Sequence, residues 1–99
     1  MTNILLACAG GMSTSMMVER MKQEASARGL EAKIWAVSEA VVAEHIDQAD
    51  VLLVGPQLRF KVPELQKSYP AKPIAAIEMR DYGMMNGKAV LDVALAMLG

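Results

Sequence analysis

Asn3-Ile4-Leu5-Leu6-Ala7-Cys8-Ala9-Gly10-Gly11-Met12-Ser13-Thr14-Ser15 reads as a strand, a glycine turn and the opening of a helix. The run up to Cys8 is short and apolar on both faces, which is the pattern of a buried parallel strand. Gly10 and Gly11 end it. Ser13, Thr14 and Ser15 then offer helix N-caps. Met17, Val18, Met21 and Ala25 recur at helical spacing, with Glu19, Arg20, Lys22 and Gln23 on the other face. Gly29 is placed as the C′ stop.

The same unit recurs downstream. Glu31 to Val37 alternates Lys33 and Trp35 against Ala32, Ile34 and Ala36, as a strand does. Ser38 is expected to cap a helix carrying Ala40, Val41, Ala43, Glu44 and Ile46. Val51-Leu52-Leu53-Val54 is a third strand, ended by Gly55-Pro56. Pro63 suits the first turn of a helix that Glu64-Leu65-Gln66-Lys67 continue until Pro70. Pro73-Ile74-Ala75-Ala76-Ile77 is a fourth strand. Asn86 caps a last helix, with Val90, Val93, Ala94, Met97 and Leu98 on its apolar side. Four strand-then-helix units without a linker predict an α/β fold: a small doubly wound, four-stranded parallel sheet of order 2-1-3-4 with helices on both faces. One domain over residues 1–99 is expected. Ligands of such sheets sit beyond the C-terminal strand ends where the order reverses, here between strands one and three. The loops at that spot are Ala9 to Thr14 and Gly55 to Lys61, and Cys8 stands at the lip.

Composition limits the function. The 99 residues are 54% hydrophobic and 21% charged, which argues for a packed core and against disorder. Ten Lys/Arg against eleven Asp/Glu leave a net charge of −1, so binding of nucleic acid by bulk charge is excluded. No apolar run is long enough to span a bilayer, and the start lacks a basic n-region, so a cytoplasmic location without membrane insertion is expected. A lone cysteine cannot staple a monomer and leaves a free thiol.

That thiol sits where chemistry is available. Glycines permit close backbone approach to a ligand. The first N–H groups of the following helix have no intrahelical partner, and with the helix dipole they form an anion site. The same field favours the thiolate. A thiolate beside an anion cradle is suited to attacking phosphorus and holding the phosphate it captures. The alternative is a small buried hydrophobe at a strand end. No metal-ligand cluster stands out, so a metal-free transfer without a cofactor is expected.

The loop resembles that of the low-molecular-weight tyrosine phosphatases, whose pattern is Cys, five residues, then Arg. Here Thr14 holds the arginine position. The missing guanidinium is the group that grips the phosphoryl bidentately in the transition state. No early Asp offers a general acid. Such a loop suits holding a phosphoryl group until a second acceptor takes it.

The chain is similar to the IIB components of the bacterial sugar phosphotransferase system, of lactose/cellobiose/chitobiose type. The resemblance is carried by Ile4-Leu5-Leu6-Ala7 running into Cys8-Ala9-Gly10-Gly11-Met12-Ser13-Thr14-Ser15, and by Ala49-Asp50-Val51-Leu52-Leu53-Val54-Gly55-Pro56-Gln57. Pro63-Glu64-Leu65-Gln66, Lys72-Pro73 and Tyr82-Gly83 add to it. It implies a relay in which a phosphohistidine on a partner IIA protein donates to Cys8, and the phosphocysteine donates to a sugar held by the membrane IIC component. A β-linked disaccharide such as cellobiose, chitobiose or lactose is the implied acceptor. By matching position, Cys8 carries the phosphoryl group and Ala9, Gly10, Gly11, Met12, Ser13, Thr14 and Ser15 form its loop. Gln57 and Tyr82 are candidates for supporting roles near the strand ends.

Other residues have plainer readings. Arg59, Lys61 and Arg80 follow strands three and four in loops. They either surround the phosphate or meet an acidic partner, or they are solvated charge, with Glu78 and Asp81 diluting any positive field. His45, the only histidine, reads as a surface or packing residue. Met17, Met21 and Met97 fall on core faces. Met12, Met16, Met84 and Met85 are placed around the site entrance, either to meet two partners in turn or simply packed on neighbours. Trp35 receives no function. A monomer is expected. Three classes stay open: a phosphocarrier enzyme, a cysteine phosphatase or arsenate-reductase-like enzyme, and a non-catalytic flavodoxin-like binding domain with an inert thiol.

Overall fold

Strand β1 (Thr2–Cys8) pairs in parallel with β2 (Ala32–Ser38) on one side and β3 (Val51–Val54) on the other. β4 (Ile74–Ala76) completes the sheet beside β3, in the order β2-β1-β3-β4. This is the expected order. The computed structural model describes residues 1–9 and 12–98, and for Met12 and Ser13 the backbone alone.

The two central strands are covered on both faces, which explains their uninterrupted apolar runs. Alternate residues divide between two cores. Ile4, Leu6, Val51 and Leu53 face α1 (Met12–Ala27) and α5 (Gly87–Leu98). Leu5, Ala7, Leu52 and Val54 face the segments around α2 (Val42–His45) and α3 (Val62–Ser68). Right-handed crossovers account for the division. The chain steps one way from β1 to β2, then the other way from β2 to β3 and from β3 to β4. Helix α1 therefore covers one face, and α2 and α3 the opposite face.

Helix α1 buries Met17, Val18, Met21 and Ala25, the expected stripe. It ends in a Schellman motif. Gly29 takes φ +68, Leu30 N–H donates to the Ala25 carbonyl at 2.9 Å, and Gly29 N–H donates to that of Ser26 at 3.1 Å. Pro63 stands in the first turn of α3, and Tyr69 leaves the helical region at φ −132, ψ 66, as a residue before proline must. Asn86 caps α5 by accepting from Ala89 N–H at 3.1 Å. A Cβ on Gly87 would lie 2.6–2.7 Å from Arg20 and Met21 atoms, so glycine is what lets α5 cross α1 this closely.

Several expectations need correction. The helix after Ser38 is broken into a 3-10 turn (Glu39–Val41), α2 and a second 3-10 turn (Ile46–Gln48). Its buried residues are Val42 and Ile46, while Ala40 and Ala43 are exposed. Ser38 does cap the first turn, accepting from Ala40 N–H at 3.3 Å. On α5 the core stripe is Val90, Leu91 and Ala94, whereas Val93 and Leu98 are exposed. β2 leaves out Glu31 and extends to Ser38, and β4 is shorter than Pro73 to Ile77. A helix not foreseen, α4 (Met79–Gly83), lies between β4 and α5. It ends in a second Schellman-type pair: Met85 N–H bonds the Tyr82 carbonyl and Asn86 N–H that of Asp81, with Met85 at φ 51.

Candidate functional site

Cys8 ends β1, opposite Ser38 of β2. It is a free cysteine and is 3% exposed, so its side chain is sunk into the C-terminal rim of the sheet instead of standing above it. Its Sγ lies 3.8 Å from the Val37 carbonyl, a weak thiol contact. Gly55 N–H donates to the Ala7 carbonyl at 2.9 Å, so the turn after β3 closes against the backbone just before the sulfur. Helix α1 starts at Met12. The first-turn amides of residues 12–14 have no acceptor inside the helix, and the positive end of the dipole follows directly on the strand that carries Cys8. Helix α1 already includes Ser13, Thr14 and Ser15, so they lie within its first turn and not at the position before it where a cap was expected. Ala9 and Ser15 are exposed. Gly10, Gly11 and the side chains of Met12 and Ser13 lie outside the described residues.

Thr14 has no exposure at all, although it is polar. Its Oγ1 lies 3.2 Å from the hydroxyl of Tyr82, itself buried. The residues are 68 apart in the chain, and α4 is the element that brings them together. A buried hydroxyl without a partner costs about 1–3 kcal/mol, and Tyr82 supplies that partner to Thr14. The pair pins the first turn of α1 to α4. Thr14 holds the phosphatase arginine position, but its hydroxyl is turned to Tyr82.

Gln57 is exposed, and its Oε1 would come within 2.8 Å of a Cβ on Gly55, so the amide folds back over the turn beside Ala7. Arg59 and Lys61 are in a 3-10 helix (Pro56–Lys61), and Arg80 is on α4; these are helical turns where loops were expected. Lys61 is tied to Glu39 by an ion pair and hydrogen bond. Arg59, Arg80 and Glu78 are exposed, and Asp81 is half-buried. His45 accepts from Trp35 Nε1–H at 3.3 Å, a packing role that places it on the second-strand face. Met17 and Met21 are core residues, Met85 and Met97 pack against that core, and Met16 and Met84 are exposed. Sequence reasoning missed Phe60 and Met79, which are also exposed; no periodicity marks a residue that is left outside every core. Among the described residues, no three His, Cys, Asp or Glu side chains group to hold a metal ion, and no helix is long and apolar enough to cross a membrane.

Comparison with known proteins fits this geometry. Residues 3–93 match the family model described as PTS system, Lactose/Cellobiose specific IIB subunit. The chain is 44% identical over 100 residues to the PTS system oligo-beta-mannoside-specific EIIB component of Bacillus subtilis, covering 99% of this chain and 97% of that one. It is 41% identical over 98 residues to the cellobiose-specific EIIB component of Lactococcus lactis, covering 92% and 91%. The solution structure of the cellobiose-specific IIB component from Borrelia burgdorferi superposes with a TM-score of 0.82 at 41% identity, over 98% of this chain and 91% of that one. A lactose-specific IIB domain from Streptococcus pneumoniae, at 15% identity and TM-score 0.89 over 99% and 98% of the two chains, shares the fold. The chain belongs to the lactose/cellobiose-type IIB family of the phosphotransferase system and is a sugar phosphotransferase component.

Proposed function

We propose that Cys8 is the residue that carries the phosphoryl group, taking it from a phosphohistidine of the IIA donor and passing it to a sugar bound by the membrane IIC component. In the first step the Cys8 thiolate attacks phosphorus in line. The S–P bond forms, the N–P bond breaks, and its electron pair returns to the donor imidazole. In the second step a sugar hydroxyl oxygen attacks phosphorus, the S–P bond breaks, the thiolate is restored and the hydroxyl proton leaves to solvent. Positioning and main-chain donors supply most of the catalysis in such transfers.

The observation that supports this reading is the placement of Cys8 at the end of β1, immediately before the first turn of α1. In this reading Ala9, Gly10, Gly11, Met12, Ser13, Thr14 and Ser15 hold the phosphoryl oxygens. Thr14 contributes its N–H, because its hydroxyl is engaged by Tyr82. Tyr82 acts as a positioning residue for the first turn, and Gln57 supports the strand end from the Gly55 turn. Residues 1–99 act as one cytoplasmic, monomeric domain without nucleic acid. The acceptor is a β-linked disaccharide such as cellobiose, chitobiose or lactose, the class suggested by relatives named for oligo-beta-mannoside and cellobiose.

The test is transfer from the phosphohistidine form of a lactose/cellobiose-type IIA protein to wild-type and Cys8→Ser chains. Wild type is expected to accept one acid- and iodine-labile phosphoryl group and Cys8→Ser none. A Cys8→Ser chain that accepts and passes phosphate normally overturns the reading. Release of inorganic phosphate without a phosphoprotein would favour the phosphatase class instead.

A further inference from the structure

Strand β4 closes the sheet, so one side of its backbone has no strand beside it. Leu52 N–H bonds the Pro73 carbonyl, and Ile77 N–H bonds that of Val54. Bonding alternates along a strand, so the backbone groups of Ala75 face β3 and those of Ile74 and Ala76 point outward. Among the described residues, Gln66 on α3 is the side chain that hydrogen-bonds this edge, with Nε2 donating to the Ile74 carbonyl at 3.0 Å. The opposite edge strand, β2, carries the exposed Lys33, a charge that discourages strand addition. Ile74-Ala75-Ala76 carries no charge.

The edge is notched on both faces, where Ala75 and Ala76 leave space beside them. On the α3 side a groove of about 410 Å³ runs along Ile74, Val62 and Pro63; Arg59 and Glu78 both line it, so its charge balances. On the α5 side a cavity of about 200 Å³ lies among Leu53, Ala75, Val90 and Val93, and its two charged residues are Glu78 and Asp81. Neither carboxylate forms an ion pair among the described residues. Arg80 is next to Asp81 in the chain but does not line the cavity, because consecutive helical side chains do not face each other. Val93 is 40% exposed, an apolar wall left open to solvent. Successive side chains of an added strand point to opposite faces, so one enters the groove and the next the cavity. That is the geometry of strand addition, in which main-chain bonds supply affinity and pockets for alternate side chains supply specificity.

We propose that the outer edge of β4 takes up, as an added strand, an extended basic segment from the cytoplasmic face of the membrane IIC component, with a Lys or Arg of that segment in the α5-side cavity. This rests on the reading above that the chain serves a IIC partner. Charge selects the occupant. An apolar cavity with two carboxylates and no cation fits a side chain with an apolar stem and a cationic head. Cytoplasmic segments of membrane proteins carry an excess of Lys and Arg. The anchor lies to the side of the chemistry: β4 is two strand spacings from β1, about 10 Å, so a segment held there leaves Cys8 uncovered. The carrier thus stays beside its acceptor while partners change at Cys8, and the tether raises the effective concentration of one for the other.

The test is co-sedimentation of the unphosphorylated chain with inside-out membrane vesicles, with and without a lactose/cellobiose-type IIC component, at several salt concentrations. Binding is expected to the IIC vesicles alone and to weaken as salt rises. Ala76→Pro removes an outward N–H, and Glu78→Gln/Asp81→Asn removes the charge; each is expected to weaken binding about tenfold, with acceptance of phosphate from a IIA donor unchanged. Lys33→Gln, on the opposite edge, is expected to bind as wild type. Wild-type binding by the Glu78/Asp81 variant, or equal binding to vesicles without IIC, overturns the anchor. A dimer of the chain that Ala76→Pro abolishes assigns the edge to a second copy and also overturns it. If Ala76→Pro no longer accepts phosphate it is misfolded, and the Glu78/Asp81 variant decides. Failure of wild type to accept phosphate on Cys8 overturns the carrier reading instead, since vesicle binding is read without phosphate.

Discussion

Replacing Tyr82 by Phe removes one oxygen and leaves the Thr14 hydroxyl, which has no exposure, facing an apolar ring edge. The net loss of a hydrogen bond is about 0.5–1.5 kcal/mol, and a stranded buried hydroxyl raises it to about 1–3 kcal/mol. Thr14→Val keeps the shape and removes the other half of the pair, at about 0.5–1.5 kcal/mol for the net loss of one hydrogen bond. The Tyr82→Phe/Thr14→Val protein has no stranded hydroxyl from this pair, so it is expected to be more stable than the two single losses summed, with a coupling of about 1 kcal/mol. In a chain of this size, 1 kcal/mol moves Tm by about 4–8 °C. Urea unfolding of the four proteins, followed by circular dichroism, measures the cycle. The phosphoryl-transfer rate of each, measured well below its unfolding midpoint, adds the functional readout. If the pair pins the first turn of α1, Tyr82→Phe slows transfer while the fold is intact. Single losses that add within about 0.3–0.5 kcal/mol would show that the two hydroxyls do not support each other, and would refute the reasoning.

Gly87→Ala places a methyl group 2.6–2.7 Å from backbone and Cβ atoms of Arg20 and Met21, so α5 must move off α1. We expect a destabilisation of about 1–3 kcal/mol by urea unfolding, and a wild-type midpoint would contradict the close crossing. Asn86→Ala removes the acceptor for Ala89 N–H, and a loss of about 1 kcal/mol is expected, with Asn86→Ser restoring most of it. Equal stabilities for the Ala and Ser variants would show that the cap contributes nothing.

The strands were legible because β1 and β3 are buried on both faces and so read as unbroken apolar runs. Sheet order followed from the alternation of strands and helices, since handedness leaves few ways to wind four units. Gly29 and Asn86 were legible because capping chemistry is local. What failed was set by tertiary contact. The segment after Ser38 follows Val42 and Ile46 into the core; Ile46 was among the residues expected on that helix, but Val42 was not, and the break into two 3-10 turns left no regular helical spacing to read. Helix α4 is five residues long and buries only Tyr82, too little to leave a periodic signal. At the site, Cys8 and the helix that follows it were visible as one stretch of sequence. The Thr14–Tyr82 bond was not, because it joins residues 68 apart and turns a presumed helix cap inward. Lys61 likewise looked like a free cation until Glu39 was found beside it.

The central claim concerns one atom, the Cys8 sulfur. Mass spectrometry of the intact chain after incubation with a phosphorylated IIA donor, followed by peptide mapping under conditions that preserve S–P bonds, reads it directly. The account predicts a single added phosphoryl group on the peptide holding Cys8, discharged on addition of the IIC component and its sugar. A phosphoryl group found on His45 or on a serine or threonine, with Cys8 unmodified, would contradict it.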